Sequence, residues 1–193
     1  PMVMDYLDVL KKKKPVGKRV AVMGAGGIGF DVSEYLVHGK TRPSLDKQQF
    51  MKEWGIDLEV STPGGLAKET LVEPAVREVY LLQRKKSKVG VGLGKSTGWI
   101  HRTTLKNKNV QMMNMVQYIK IDDQGLHIEL NGENRILEVD NVVICAGQDP
   151  HRELYGDLVE AKMSVHLIGG ADKASELDAK RAIKQGTELA AVI

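Results

Sequence analysis

The chain has 193 residues, 42% of them hydrophobic and 27% charged, with a formal net charge of +3. That composition belongs to a folded domain with one core; the small charge argues against a nucleic-acid platform and for a small anionic ligand. No stretch reaches the about 18 uninterrupted apolar residues of a membrane span, residues 1–22 lack the order of a signal peptide, and the single cysteine, Cys145, allows no internal disulfide or cysteine metal cluster, so a cytoplasmic chain without nucleic-acid or membrane partners is expected.

Residues 1–16 read as a connecting arm from a longer polypeptide, with helical pattern at 6–10. Residues 18–23, Lys-Arg-Val-Ala-Val-Met, suit a buried parallel strand and run into Gly24. A helix follows, with Ile28, Val32, Tyr35 and Leu36 at helical spacing and Gly39 as its stop. Residues 41–74 break this rhythm: one helical patch at 48–54 stands among Pro43, Pro63, Gly64 and Gly65. Strand composition returns at 76–82, a short helix is expected at 99–105, and a third strand at 110–113. From 117 to 137 three alternating segments are joined by Asp122-Asp123-Gln124-Gly125 and by Asn131-Gly132, a type I′ hairpin signal. Residues 141–146 form another apolar strand, in which Cys145 reads as a buried residue rather than a nucleophile, and Gly147 and Pro150 mark an exit loop. A last strand is predicted at 165–168, ending in Gly169-Gly170, and Leu177, Ile183 and Ala190 outline a closing amphipathic helix. The predicted fold is α/β: a Rossmann-like dinucleotide-binding domain with a parallel sheet and an added antiparallel β-meander.

The chemistry concentrates at Gly24-Ala25-Gly26-Gly27-Ile28-Gly29, a G-x-G-x-x-G sequence between a strand and a helix. There Gly24 makes the tight turn, Gly26 admits a pyrophosphate to the backbone, and Gly29 lets helix and strand pack closely, while the free amides of the helix N-terminus face the phosphates. An NAD or FAD site carries an acid at the end of the second strand; this chain has Gln83 there, followed by Arg84 and Lys85, which favours the 2′-phosphate of NADPH. Gln83 lies far beyond the usual interval of about twenty residues after the glycines, and the excursion at 41–74 has to account for that. Residues 90–96 resemble a P-loop but lack its first glycine, since position 89 is Val89. The histidines have no metal-ligand spacing; only His101, beside Trp99 and Arg102, lies near a plausible ligand edge. Asp172 falls where a carboxylate caps the closing helix, the alternative to a cofactor contact.

Several segments together resemble the C-terminal part of the bacterial NADPH-dependent 2,4-dienoyl-CoA reductase family: residues 24–31, Leu82-Gln83-Arg84-Lys85, residues 92–102, residues 142–147, Leu167-Ile168-Gly169-Gly170-Ala171-Asp172 and Glu176-Leu177-Asp178-Ala179. The resemblance implies a larger polypeptide. In it a flavin-bearing (β/α)₈ barrel with FMN and an iron–sulfur cluster precedes an FAD domain, and the NADPH domain is inserted into the latter. It further implies electron flow from NADPH to FAD and onward to a dienoyl-CoA in fatty-acid β-oxidation. On that alignment residues 17–162 are the NADPH domain, with Ala146 and Gly147 among its cofactor contacts. Residues 163–193 return to the FAD domain, so Gly170 and Asp172 would touch FAD in a partial site, and catalytic acid-base residues would belong to the barrel. Two alternatives stand beside this one: an ADP-binding structural module of the trimethylamine dehydrogenase type, and a non-catalytic nucleotide-binding domain.

Overall fold

The computed structural model describes residues 2–175 and 178–193, in two compact units, Pro1–Ala146 and Gly147–Ile193. In the first unit the elements are β1 (Met2–Asp5), α1 (Tyr6–Leu10), β2 (Arg19–Met23), α2 (Gly27–Val37), α3 (Lys47–Trp54), β3 (Glu78–Leu82), α4 (Gly98–Asn107), β4 (Gln111–Met113), β5 (Gln117–Asp122), β6 (Gly125–Leu130), β7 (Glu133–Leu137) and β8 (Asn141–Ile144). A five-stranded sheet runs in the order β1-β8-β2-β3-β4, with every neighbouring pair parallel. The antiparallel β5-β6-β7 meander forms a second sheet. The α/β fold with its added meander is therefore as the residue pattern predicts.

The central strand β2 explains why its sequence lacks polar alternation. Val20, Ala21 and Val22 are all fully buried, because both faces of the sheet are covered. Val20 and Val22 join Phe30, Val32 and Leu36 of α2 and Leu105 of α4 in one core cluster. Ala21 and Leu82 join Val116, Leu126, Ile128 and Leu137 in the other, beneath the meander. Tyr35, placed on the inward face of α2 by its spacing, is instead 46% exposed, since Val32 and Leu36 already fill the contact with the sheet. The Asn131-Gly132 turn has φ of 55° and 83° at its two central residues, the doubly positive pair that a type I′ hairpin requires.

Residues read as a connecting arm supply the edge strand: β1 pairs in parallel with β8, Met2 opposite Asn141 and Asp5 opposite Ile144. The excursion is tied down at three points. Asp46 caps α3 by accepting the Gln49 amide at 3.0 Å; Trp54 meets Trp99 of α4 edge-on at 5.9 Å; and the buried Lys108 donates from Nζ to the Glu73 carbonyl at 2.7 Å. The Glu73 carboxylate closes the insert by accepting from the Thr41 hydroxyl and the Gln49 amide.

The second unit contains α5 (Glu153–Glu160) and α6 (Ala179–Ala190), neither of which buries a residue. The strand predicted at 165–168 does not form: the segment is extended in composition, but no neighbouring strand supplies a ladder among the described residues. Asp178, not Asp172, caps α6, accepting the Arg181 amide at 2.8 Å. Leu177 and Glu176, read as part of that helix, lie outside the described residues.

Candidate nucleotide-binding site

The site is assembled at the carboxyl ends of β2, β3 and β8. The chain leaves β2 at Gly24, whose φ of 111° suits only glycine and whose amide donates to the Leu82 carbonyl of β3 at 2.9 Å. A methyl group on Gly24 would come within 2.8 Å of the Cys145 carbonyl and 2.9 Å of the Ala146 nitrogen, so the end of β8 presses against this turn. Gly29 is more constrained: a Cβ there would lie 1.8 Å from the Gly24 carbonyl oxygen. It is glycine that lets the first turn of α2 sit directly on the strand end. Toward solvent the picture reverses, since a Cβ on Gly26 or Gly27 would meet nothing within 4 Å.

The first intrahelical bond of α2 runs from the Phe30 amide to the Gly26 carbonyl at 3.1 Å. The amides of Gly27, Ile28 and Gly29 therefore have no helical acceptor, and no side chain caps them. Open space above unsatisfied, partially positive donors is a cradle for a diphosphate. It lies between β8 and β2, where the sheet order reverses, the point at which open α/β sheets bind ligands.

The loop after β3 carries the cations Arg84, Lys85, Lys86 and Lys88. Gln83, which stands in the place of the usual acid, turns its amide inward: Nε2 donates to the Lys85 carbonyl at 3.2 Å and to the Ser87 carbonyl at 2.5 Å. From the other side Asn114 Nδ2 donates to the Lys86 carbonyl at 2.8 Å, and the amide of Met115, at φ 59°, donates to the Lys85 carbonyl at 3.2 Å. The basic loop is thus clamped onto the segment after β4, with its polar backbone satisfied from below. Arg84 is exposed and close enough to Tyr118 of β5 to favour ionisation of that phenol, although burial outweighs it and pushes Tyr118 up to about 12. The structure thus brings together 24–29, Gln83 and Ala146, ranges Arg84 and Lys85 along the adjoining loop, and carries Gly147, Gly170 and Asp172 in the second unit.

Other candidates resolve into structural roles. Cys145 is pushed up to about 12 by burial, which suits a packing residue rather than a nucleophile. His101 Nδ1 lies 2.7 Å from the Glu34 carboxylate and joins α4 to α2. Arg102 donates to the Gly90 carbonyl at 2.8 Å, so the glycine-rich 90–96 segment is a loop braced by α4. In the second unit Asp172 accepts from Gln185 Nε2 at 2.8 Å, and Gln185 in turn takes the Gly169 amide at 2.7 Å. Asn114 and Met115 went unnoticed in the sequence, where an Asn-Met pair at a strand end carries no distinctive signal.

Residues 2–173 match the family described as pyridine nucleotide-disulphide oxidoreductase. The chain belongs to that family. The fold of the chain is similar to that of 2-naphthoyl-CoA reductase in complex with 2-naphthoyl-CoA, at a TM-score of 0.66 and 21% identity over 99% of this chain and 23% of that one. Histamine dehydrogenase from Rhizobium sp. 4-9 is similar at a TM-score of 0.64 and 16% identity, over 98% of this chain and 26% of that one. 6-Hydroxypseudooxynicotine amine oxidase from Pseudomonas geniculata N1 is similar at 0.62 and 15%, over 91% and 22%. The chain thus spans about a quarter of the length of these structures.

Proposed function

We propose that this pyridine nucleotide-disulphide oxidoreductase chain is the NADPH-binding part of a larger flavoprotein reductase of the 2,4-dienoyl-CoA reductase type, passing hydride from NADPH to FAD for reduction of an unsaturated acyl-CoA. The observation that carries this reading is the open amide cradle at 26–29 beside a clamped basic loop in which Gln83 replaces an acid. The residues fit the group. Gly26, Gly27, Ile28 and Gly29 would hold the pyrophosphate, and Ala146 would border it at the switch point. Arg84 and Lys85 would face the 2′-phosphate without carboxylate repulsion. When bound, the nicotinamide supplies the hydride; this chain supplies placement.

The remainder of the machinery, an FAD domain touched by Gly170 and Asp172 and a barrel with FMN and an iron–sulfur cluster, would belong to the rest of the same cytoplasmic polypeptide. Two helices that bury no residue of their own, α5 and α6, agree with a second unit that packs on further protein. The reading is tested by replacing Arg84 with Ala and titrating NADPH and NADH. One charge-assisted bond to the 2′-phosphate, about 1.5–3 kcal/mol, predicts a loss for NADPH of about tenfold or more with NADH unchanged. Equal loss of both, or binding of ADP alone, would favour a structural ADP module of the kind considered above.

A further inference from the structure

Between α2 and the insert at 41–74 runs a groove of about 1160 Å³. Two of its walls are helix stripes: Asp31, Tyr35 and the C-cap His38 recur at i, i+4 and i+7 on α2, and Phe50, Glu53 and Trp54 at i, i+3 and i+4 on α3. Both walls carry aromatic rings that no core covers. Tyr35 is 46% and Phe50 39% exposed, and the Phe50 ring stands 6.1 Å from that of Trp54, tilted by 36°. Rings so placed offer a flat apolar surface to a planar heterocycle.

Glu53 supplies a polar contact. Its Oε1 is buried yet meets no hydrogen-bond partner among the described residues, a state shared there only with Arg181 Nε. A buried carboxylate oxygen without a donor costs free energy that a ligand N–H would recover. The other acids of the groove differ, since Glu34 is engaged by His101 at 2.7 Å and Asp31 is exposed. The cations divide likewise. Lys14 pairs with Asp8 at 2.9 Å, Arg77 donates to the Gly17 and Leu36 carbonyls, and Lys13 rests over the Tyr35 ring at 4.6 Å. The side chains of Lys40 and Arg42 are exposed and have no partner among the described residues. Both follow the C-terminus of α2, which separates them from Asp31 by roughly 10 Å or more, so one end of the groove is left to an anion.

Flat aromatic surface, a carboxylate that lacks donors and free cations together describe a nucleotide whose base is rich in N–H groups. We propose that this groove is a second nucleotide site, separate from the amide cradle, and that it takes a guanine nucleotide. Guanine presents N1–H and N2–H side by side, a pair that a carboxylate accepts with both oxygens. Adenine sets the lone pair of its N1 beside its only amino donor, and that lone pair would oppose one carboxylate oxygen. The phosphate would pair with Lys40 and Arg42. No residue of the groove belongs to the cradle or to the loop after β3, so one ligand does not displace the other.

The test follows Trp54 fluorescence in a Trp99→Phe background, where Trp54 is the only tryptophan, during titration with 5′-GMP, 5′-AMP and guanosine. The expected result is quenching by 5′-GMP at an affinity about tenfold or more above that of 5′-AMP, the equivalent of one charge-assisted bond. Glu53→Gln should invert that preference, because its amide accepts from adenine N6 and donates to N1; loss of a merely structural glutamate would weaken both probes alike. Lys40→Ala/Arg42→Ala, at two exposed positions, should weaken 5′-GMP about tenfold and change guanosine less than about threefold. The site is overturned if 5′-GMP does not quench, or if Glu53→Gln leaves the 5′-GMP preference intact. Binding of 5′-GMP that Gly27→Ala abolishes and Glu53→Gln does not would put the probe in the amide cradle, so the second site would fall while the NADPH reading stands.

Discussion

Gly29→Ala is the substitution for which the structure gives the sharpest number. Its new methyl would lie 1.8 Å from the Gly24 carbonyl oxygen and 2.9 Å from the carbonyl carbon, and neither atom belongs to a side chain that can swing away. Overpacking costs typically about 1–3 kcal/mol, and contact with fixed backbone belongs at the upper end. Alanine recovers about 1 kcal/mol of helix propensity, leaving a net loss of about 2 kcal/mol and a fall in melting temperature of roughly 4–8 °C for a chain of this size. Gly27→Ala is the control: its methyl meets nothing within 4 Å, so stability holds or rises. Nucleotide affinity should fall in both variants, by displacement of the amides in the first and by occupation of the ligand's space in the second. Thermal denaturation followed by circular dichroism, paired with NADPH titration, measures both quantities. A Gly29→Ala chain that melts with the wild type would refute the close approach of helix and strand on which the cradle depends.

Replacing Gln83 with Leu removes the donor that clamps the Lys85 and Ser87 carbonyls, so amide exchange at 85–88 should accelerate and NADPH selectivity should drop; in the Arg84→Ala background the second effect should be largely lost, which a double-mutant cycle would show. Cys145, with its thiol pushed up to about 12, should resist alkylation at pH 8 until the chain is unfolded, and rapid labelling of the native protein would contradict its burial. Tyr118 ionises at about 12 in the folded chain against 10.0 in the reference state. The folded state therefore keeps its proton longer, and the stability this confers is fully present below pH 10 and lost as pH rises from 10 toward 12. Absorbance titration at alkaline pH should show that late phenol, and Arg84→Ala should move it later still, because the cation that favours the phenolate is gone.

Local signals were legible in the sequence, and pairings between distant segments were not. The β2 to α2 junction, the α4 helix and the Asn131-Gly132 turn announce themselves through composition within a few residues, and each appears where expected. Met2–Asp5 carries too few residues to show a period, and its partner β8 lies more than a hundred positions away, so its role as an edge strand had no local trace. The converse error at 165–168 has the same origin: strand composition is a local property, whereas a ladder needs a neighbour. Asp172 was read as the cap of α6, whereas the helix begins at Ala179 and Asp178 caps it; no capping-box residue marks that start in the sequence, since position 181 is Arg181. In the site Gly24 and Gly29 were legible because backbone geometry demands them, whereas Gly26 and Gly27 leave open space above the helix N-terminus. Gln83 was placed correctly along the chain, yet its inward-turned amide was invisible, for the acceptors are carbonyls of a loop whose course no side chain reveals.

The long interval between the glycines and Gln83, at first sight an objection to a dinucleotide fold, is removed by the register of the sheet. β2 and β3 are in parallel register from Arg19 opposite Glu78 to Met23 opposite Leu82, so Gln83 stands beside Gly24 at the strand ends whatever intervenes. The intervening residues close on themselves through Glu73 and dock through Trp54 on Trp99. What sets the distance from pyrophosphate to ribose recognition is the interstrand spacing, about 4.8 Å per strand, and not the number of residues in the connection. An insertion of this kind is then free to lengthen without disturbing the crevice, provided its ends return to α2 and β3. Because its aromatic contact falls on the first turn of α4, it also braces that helix against the insert.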